Sequence, residues 1–268
     1  GGFEGSLVLA ASAATNAVQT LPVRLQVRPA TPSFTAAGIV NAASYSPGLV
    51  PGGLATIFGA RLSQGVNGTV FPGGATSFRG TSVSIGGKLA PLLAISNQGG
   101  QEQINLQVPF EVVPGTTTAV QIDNNGVRVA VGGVPVLVAQ PGIFELREPG
   151  GSRVGAVVHL NGQLVTPNSP ARRGEVLSMF LTGAGPVVPP VPTGALGPLP
   201  PAVTALPVVV GVGGVGAAVL FGGYAPGFIG LYQINFEVPQ NVPAGNNALG
   251  LDVKVGDVFS RTSSIAVQ

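Results

Sequence analysis

An all-β fold is predicted by three observations. Glycine (42) and proline (25) together make up a quarter of the 268 residues. In a helix interior they cost about 1 and 3 kcal/mol against alanine. Apolar residues still account for 45% of the chain, with a mean hydropathy of +0.47, so there is ample surface to bury. The apolar segments are short, many alternate with polar positions, and they stop at Gly, Pro and Asn turns, which is the pattern of strands.

Charge narrows the function classes. Lys and Arg number 12, Asp and Glu 10, for 8% of the chain and a net +2, against a usual share of about 25%. The tightest basic cluster is Arg172-Arg173, so no nucleic-acid partner is expected. So little charge also removes the usual guard against association. With no Cys, disulfides, iron–sulfur clusters and Cys zinc sites are excluded. The start at Gly1-Gly2-Phe3, without Met or leader, reads as a processed product or a fragment.

Residues 1–32 form the first segment. Leu21, Val23, Leu25 and Val27 alternate with Pro22, Arg24 and Gln26, as in a half-buried strand. A helix over Ser6–Leu21 is the alternative, since the stretch is Ala-rich and free of Gly and Pro; Thr, Val and Asn dilute it, which favours strands.

The remainder contains one unit twice. Gln103-Ile104-Asn105-Leu106-Gln107-Val108-Pro109 returns as Gln233-Ile234-Asn235-Phe236-Glu237-Val238-Pro239, an offset of 130. Gly52–Phe58 returns as Gly174–Phe180, an offset of 122. Order is kept while the offset grows, as in a tandem duplication with loop insertions. Each copy has the size of an immunoglobulin-like sandwich, and the predicted domains are 33–148 and 149–268. In the first, Ile104, Leu106, Val108, Val120, Ile122, Val127, Val129 and Val131 are core candidates, with a hairpin turn at Asp123-Asn124-Asn125-Gly126. Ile104/Ile234 and Phe58/Phe180 are expected in matched core positions. In the second, Pro186–Pro207 holds eight prolines and reads as a stiff, extended insertion. No charge falls between Glu175 and Glu237, but the glycines inside 206–232 leave no apolar helix long enough to span a membrane.

The strings Gly38-Ile39-Val40-Asn41-Ala42-Ala43-Ser44-Tyr45-Ser46-Pro47-Gly48, Pro51-Gly52-Gly53, Asn105-Leu106-Gln107-Val108-Pro109, Pro141-Gly142-Ile143-Phe144 and Tyr224-Ala225-Pro226-Gly227 fall in the order of a known family. Over about 34–268 the chain resembles the Solibacter-type C-terminal domain family. Members typically sit at the C-termini of large secreted or surface proteins of acidobacteria. The resemblance implies an extracellular or cell-surface location and carries no activity. Residues 5–27 similarly resemble the last two strands of a BACON-type immunoglobulin-like module.

No catalytic, cofactor or metal site is expected. Gly211-Val212-Gly213-Gly214-Val215-Gly216 spells a dinucleotide fingerprint but lacks the helix that must follow it, so a hairpin turn is expected. His159 is the one imidazole; no nucleophile elbow surrounds any Ser, and a surface or cross-strand His is the expectation. Asp123-Asn124-Asn125 and Asp252…Asp257 lack the spacing of a calcium loop. The expected function is therefore structural: a self-assembling subunit whose partner is a copy of itself. The rival is a binding module for carbohydrate or a cell surface. The residues expected to carry assembly are Leu7, Val8, Leu9, Leu21, Val23, Leu25 and Val27, which need burial and could add as strands to a neighbour's open edge.

Overall fold

The computed structural model describes residues 2–10, 18–26, 31–63, 65–70, 74–148, 151–243 and 248–268. Every regular element among them is a strand. The chain forms two compact units, Gly1–Thr31 and Pro32–Gln268.

The first unit is a ribbon. Gly2–Ala10 pairs antiparallel with Val18–Gln26, so the helical alternative for Ser6–Leu21 is not adopted. Opposite residues share a face. One face carries Phe3, Leu7, Leu9, Leu21 and Val23; the other carries Glu4, Ser6, Val8, Thr20, Pro22 and Arg24. Glu4 and Arg24, directly opposite, form an exposed ion pair at 3.1 Å.

The second unit holds two immunoglobulin-like sandwiches. In the first, one sheet runs Ser33–Asn41, Leu54–Ala60, Gln101–Gln107, Leu92–Gln98, Gly68–Thr69. The facing sheet runs Val127–Val136, Thr116–Asn124, Thr81–Ile85, Ser77–Phe78. Alternation does the rest: Ile57, Ile104, Leu106, Val83, Ile85, Val120 and Ile122 are fully buried between them. The Asn125-Gly126 turn has φ of +51° and +86°, the left-handed pair that a two-residue hairpin needs.

The second sandwich repeats the plan. Val176–Thr182 pairs with Tyr232–Glu237, which pairs with Val215–Tyr224. Val215–Tyr224 is long enough to pair at its start with Val208–Val212, and so carries the sheet into the other layer. Gly213-Gly214 is the two-residue turn between these strands, with φ of +57° and +80°. The apolar stretch 206–232 is thus strand and turn. Among the described residues no helix is long and apolar enough to cross a membrane. Ala139 and Ile143 already pack into the second core, so the chain leaves the first core after Val136, ahead of the expected boundary at 148.

The repeat holds at the level of register. Ile57 lies opposite Ile104 and Met179 opposite Ile234; Phe58 lies opposite Gln103 and Phe180 opposite Gln233. Ile104 and Ile234 are buried. Phe58 and Phe180 occupy matched positions but are only half-buried, against expectation. Side-chain direction alternates along a strand, and once Ile57 and Met179 point inward, their neighbours cannot.

Candidate functional site

Three places concentrate polar or exposed apolar chemistry: the ribbon, the seam between the sandwiches, and a cavity at His159.

On the ribbon, Phe3 is 65% exposed and Leu7, Leu9, Leu21 and Val23 lie between 48% and 53%. Val8 is exposed too, but opposite Thr20 on the polar face, so the expected residues do not form one surface. Leu25 lies opposite Phe3 in the register. Val27 lies outside the described residues.

The seam is built from the strings that carry the family resemblance. The Gln107 amide, fully buried, donates to Gly52 O at 3.2 Å and to the Tyr224 hydroxyl at 2.9 Å, and accepts from Gly194 N at 2.7 Å. Tyr224 also accepts from Gly230 N. Burial pushes its hydroxyl up to about 12, against the two hydrogen bonds it accepts. Tyr232, packed edge-on to Tyr224 and donating to Gly185 O, is pushed up by burial and then by its neighbour. Thr182 Oγ1 accepts from Leu54 N at 2.7 Å and donates to Gly230 O at 2.8 Å. Asn41 Nδ2 reaches Gln140 O at 2.8 Å. A side chain on Gly53 would meet Gly183 Cα at 3.2 Å, so close backbone approach explains that glycine.

The proline-rich insertion takes part. Val187, Val191 and Ala202 are buried in the second core. Thr193 Oγ1 accepts from Phe110 N at 2.9 Å and donates to Glu111 at 2.7 Å. Rather than a free surface loop, the insertion is a strap tied across the seam.

At His159, the strand Val157–His159 runs into a turn. Nδ1 lies 2.6 Å from Glu175 Oε1; Nε2 lies 3.1 Å from Ser169 O and 3.3 Å from Ser169 Oγ. The ring is nearly buried, with a side-chain exposure of 12%, and lines an open cavity of about 670 Å³ with Asn161, Gln163, Asn168 and Arg172. Burial pushes the Glu175 carboxyl up, but the His159 and Arg172 N–H hydrogen bonds and the two charges outweigh it, and the net shift is downward. Ser169 stands at the distance of a nucleophile beside a base. Yet Ser169 N is engaged with Thr166 O at 3.0 Å and with Thr166 Oγ1 at 3.1 Å, and Pro170 has no N–H. Neither of these two backbone positions offers a donor for an oxyanion. His159, Ser169 and Glu175, ten and then six residues apart, match no motif, so the sequence did not reveal this cluster.

The other candidates are occupied. Asp123 pairs with Arg128 at 2.7 Å, and that bond, with one from Gly126 N, holds its carboxyl low. Asp252 accepts from Thr262 and Asp257 pairs with Lys254. Among the described residues no group of three or more His, Cys, Asp or Glu could hold a metal.

Comparison with known proteins adds little to this. No family profile and no curated protein matches the chain. Among solved structures it is similar to the I9–I11 tandem of titin, at 11% identity and a TM-score of 0.25, covering 93% of this chain and 70% of that one. It is also similar to a variant of the endo-fucoidan hydrolase MfFcnA4 from glycoside hydrolase family 107, at 12% identity and a TM-score of 0.20, covering 100% and 34%. At 34% the chain spans about a third of that enzyme, and such low scores carry no functional argument.

Proposed function

We propose that this is a non-enzymatic structural protein of the cell exterior or cell surface, whose copies join through the N-terminal ribbon. The observation that carries the reading is the ribbon's apolar face, with Phe3, Leu7, Leu9, Leu21 and Val23 all about half or more exposed. A two-stranded ribbon is marginal in water, and packing this face on a second copy offsets the cost of ordering it. The ribbon also keeps two open edges for strand addition. The acceptor in this reading is the first part of Val127–Val136, a strand at the end of its sheet with Arg128 as its one charge, whose last residues are already bonded to Leu49. Ribbon and acceptor are different surfaces, so the contact is head-to-tail and propagates unless its rotation closes a ring. The location rests on the resemblance of 34–268 to C-terminal domains of secreted proteins.

Deleting 1–31 tests this. The full chain is expected to polymerise under negative-stain microscopy and sedimentation, and the truncated chain to stay folded and monomeric. A full chain that is monomeric at high concentration, or a truncated chain that forms the same polymer, refutes it.

A further inference from the structure

We propose a second site, independent of the ribbon: the seam binds an anionic saccharide around Tyr45. Tyr45 is 53% exposed, and its φ of +56° is a conformation that residues with a Cβ avoid. The turn enforces it. Tyr45 N donates to Asn41 O at 3.0 Å, while Asn41 Oδ1 accepts from Ala43 N and Ser44 N at 2.9 and 3.0 Å. Asn41 is itself tied to Gln140, so the ring is held on a rigid base. Phe58 braces it, with ring centroids 6.1 Å apart. An isolated exposed aromatic needs no explanation. A ring held at a disfavoured backbone angle, between two hollows, is a different matter, because such strain gathers at binding sites.

Both hollows are lined by Tyr45. One, of about 330 Å³, has Arg153, Arg261 and Glu145 in its wall. The other, of about 190 Å³, has Gln103, Asn105 and Phe144. A pyranose presents C–H groups on its faces and hydroxyls around its edge. An exposed ring accepts the faces, and planar amide, guanidinium and carboxylate groups pair with adjacent hydroxyls. The charge is unbalanced toward positive. Arg153 shares Glu145 at 3.7 Å. Arg261 gives one hydrogen bond to Ser44 O at 3.1 Å and forms no ion pair among the described residues. Its remaining donors suit a carboxylate or a sulfate, which a guanidinium grips through two parallel bonds.

The test is calorimetric titration of the full chain at low salt with three probes: oligogalacturonate, a sulfated galactan oligosaccharide, and a neutral malto-oligosaccharide. At least one anionic probe is expected to bind about tenfold or more tighter than the neutral one, the order of one charge-assisted contact. Which anionic probe binds tells carboxylate from sulfate. Tyr45→Gly should abolish binding without lowering the melting temperature, since glycine suits the backbone there. Arg261→Gln should remove the preference for the anionic probe. Deleting 1–31 should leave binding unchanged, which separates this site from assembly. No binding by the native chain, equal binding of the neutral probe, or undiminished binding by Tyr45→Gly overturns the proposal.

Discussion

Gln107 Nε2 and the Tyr224 hydroxyl, 117 residues apart in the chain, meet at 2.9 Å across the seam with neither side chain exposed. Gln107 also bonds Gly52 O and Gly194 N, and Tyr224 also accepts from Gly230 N, so removing one partner strands the other. Tyr224→Phe leaves the donors on Gln107 and Gly230 N short of an acceptor, at about 1–3 kcal/mol each. Gln107→Leu is expected to cost a similar amount, and the double variant less than the sum of the two. Denaturant unfolding of the four proteins measures the coupling; strict additivity would mean that the two residues act separately.

The buried tyrosines give the protein an alkaline limit. The Tyr224 hydroxyl is raised to about 12 and Tyr232 is raised as well. In the unfolded chain both ionise near pH 10, so there the unfolded state loses protons first. Their contribution is complete below that pH and is lost as pH rises toward 12 and beyond. Ultraviolet titration of tyrosinate, run beside circular dichroism, should show these two residues ionising together with loss of the fold.

At the matched strand positions, depth decides the cost of truncation. Ile104→Ala and Ile234→Ala each remove a fully buried side chain and should cost about 2–5 kcal/mol. Phe58→Ala and Phe180→Ala remove half-buried rings and should fall below the 3–5 kcal/mol of a buried Phe. Thermal or denaturant unfolding of the four variants tests the ranking.

The His159 cluster predicts an acid limit. Glu175 is held below its ordinary value, so the unfolded chain binds the proton more readily and stability rises with pH in that range. The contribution is complete above the unfolded value of about 4.3 and is lost as pH falls through the folded one. Glu175→Gln should therefore be less stable at neutral pH and show a shallower loss below pH 4.3. A parallel displacement of the whole stability curve would show that the carboxylate charge is irrelevant.

Much of the fold follows from short-range rules, which is why it could be read along the chain. The alternation in Gln103–Val108 fixes which way Ile104 and Leu106 point. Gly213-Gly214 and Asn125-Gly126 supply the positive φ that tight hairpins require. Repetition of both at steady offsets exposes the tandem. The offsets matched Phe58 with Phe180 but did not tell which face they occupy, because a strand's inward face is set by its partners and its own sequence leaves the choice open.

The sites depended on contacts that no local pattern encodes. Gln107 looks like an ordinary outward-facing strand residue, and only the second sandwich, arriving from more than a hundred positions away, buries it and supplies Tyr224. Tyr45 lies in a recognisable string, but its place between two hollows exists because Arg153 and Arg261 close one side and Gln103 and Asn105 the other. The sequence by itself determined strands, turns and the doubling, since backbone conformation and side-chain alternation are properties of neighbouring residues. The tertiary structure alone decided which polar groups are buried together, because the free energy of a buried polar group depends on partners that only the packed fold provides.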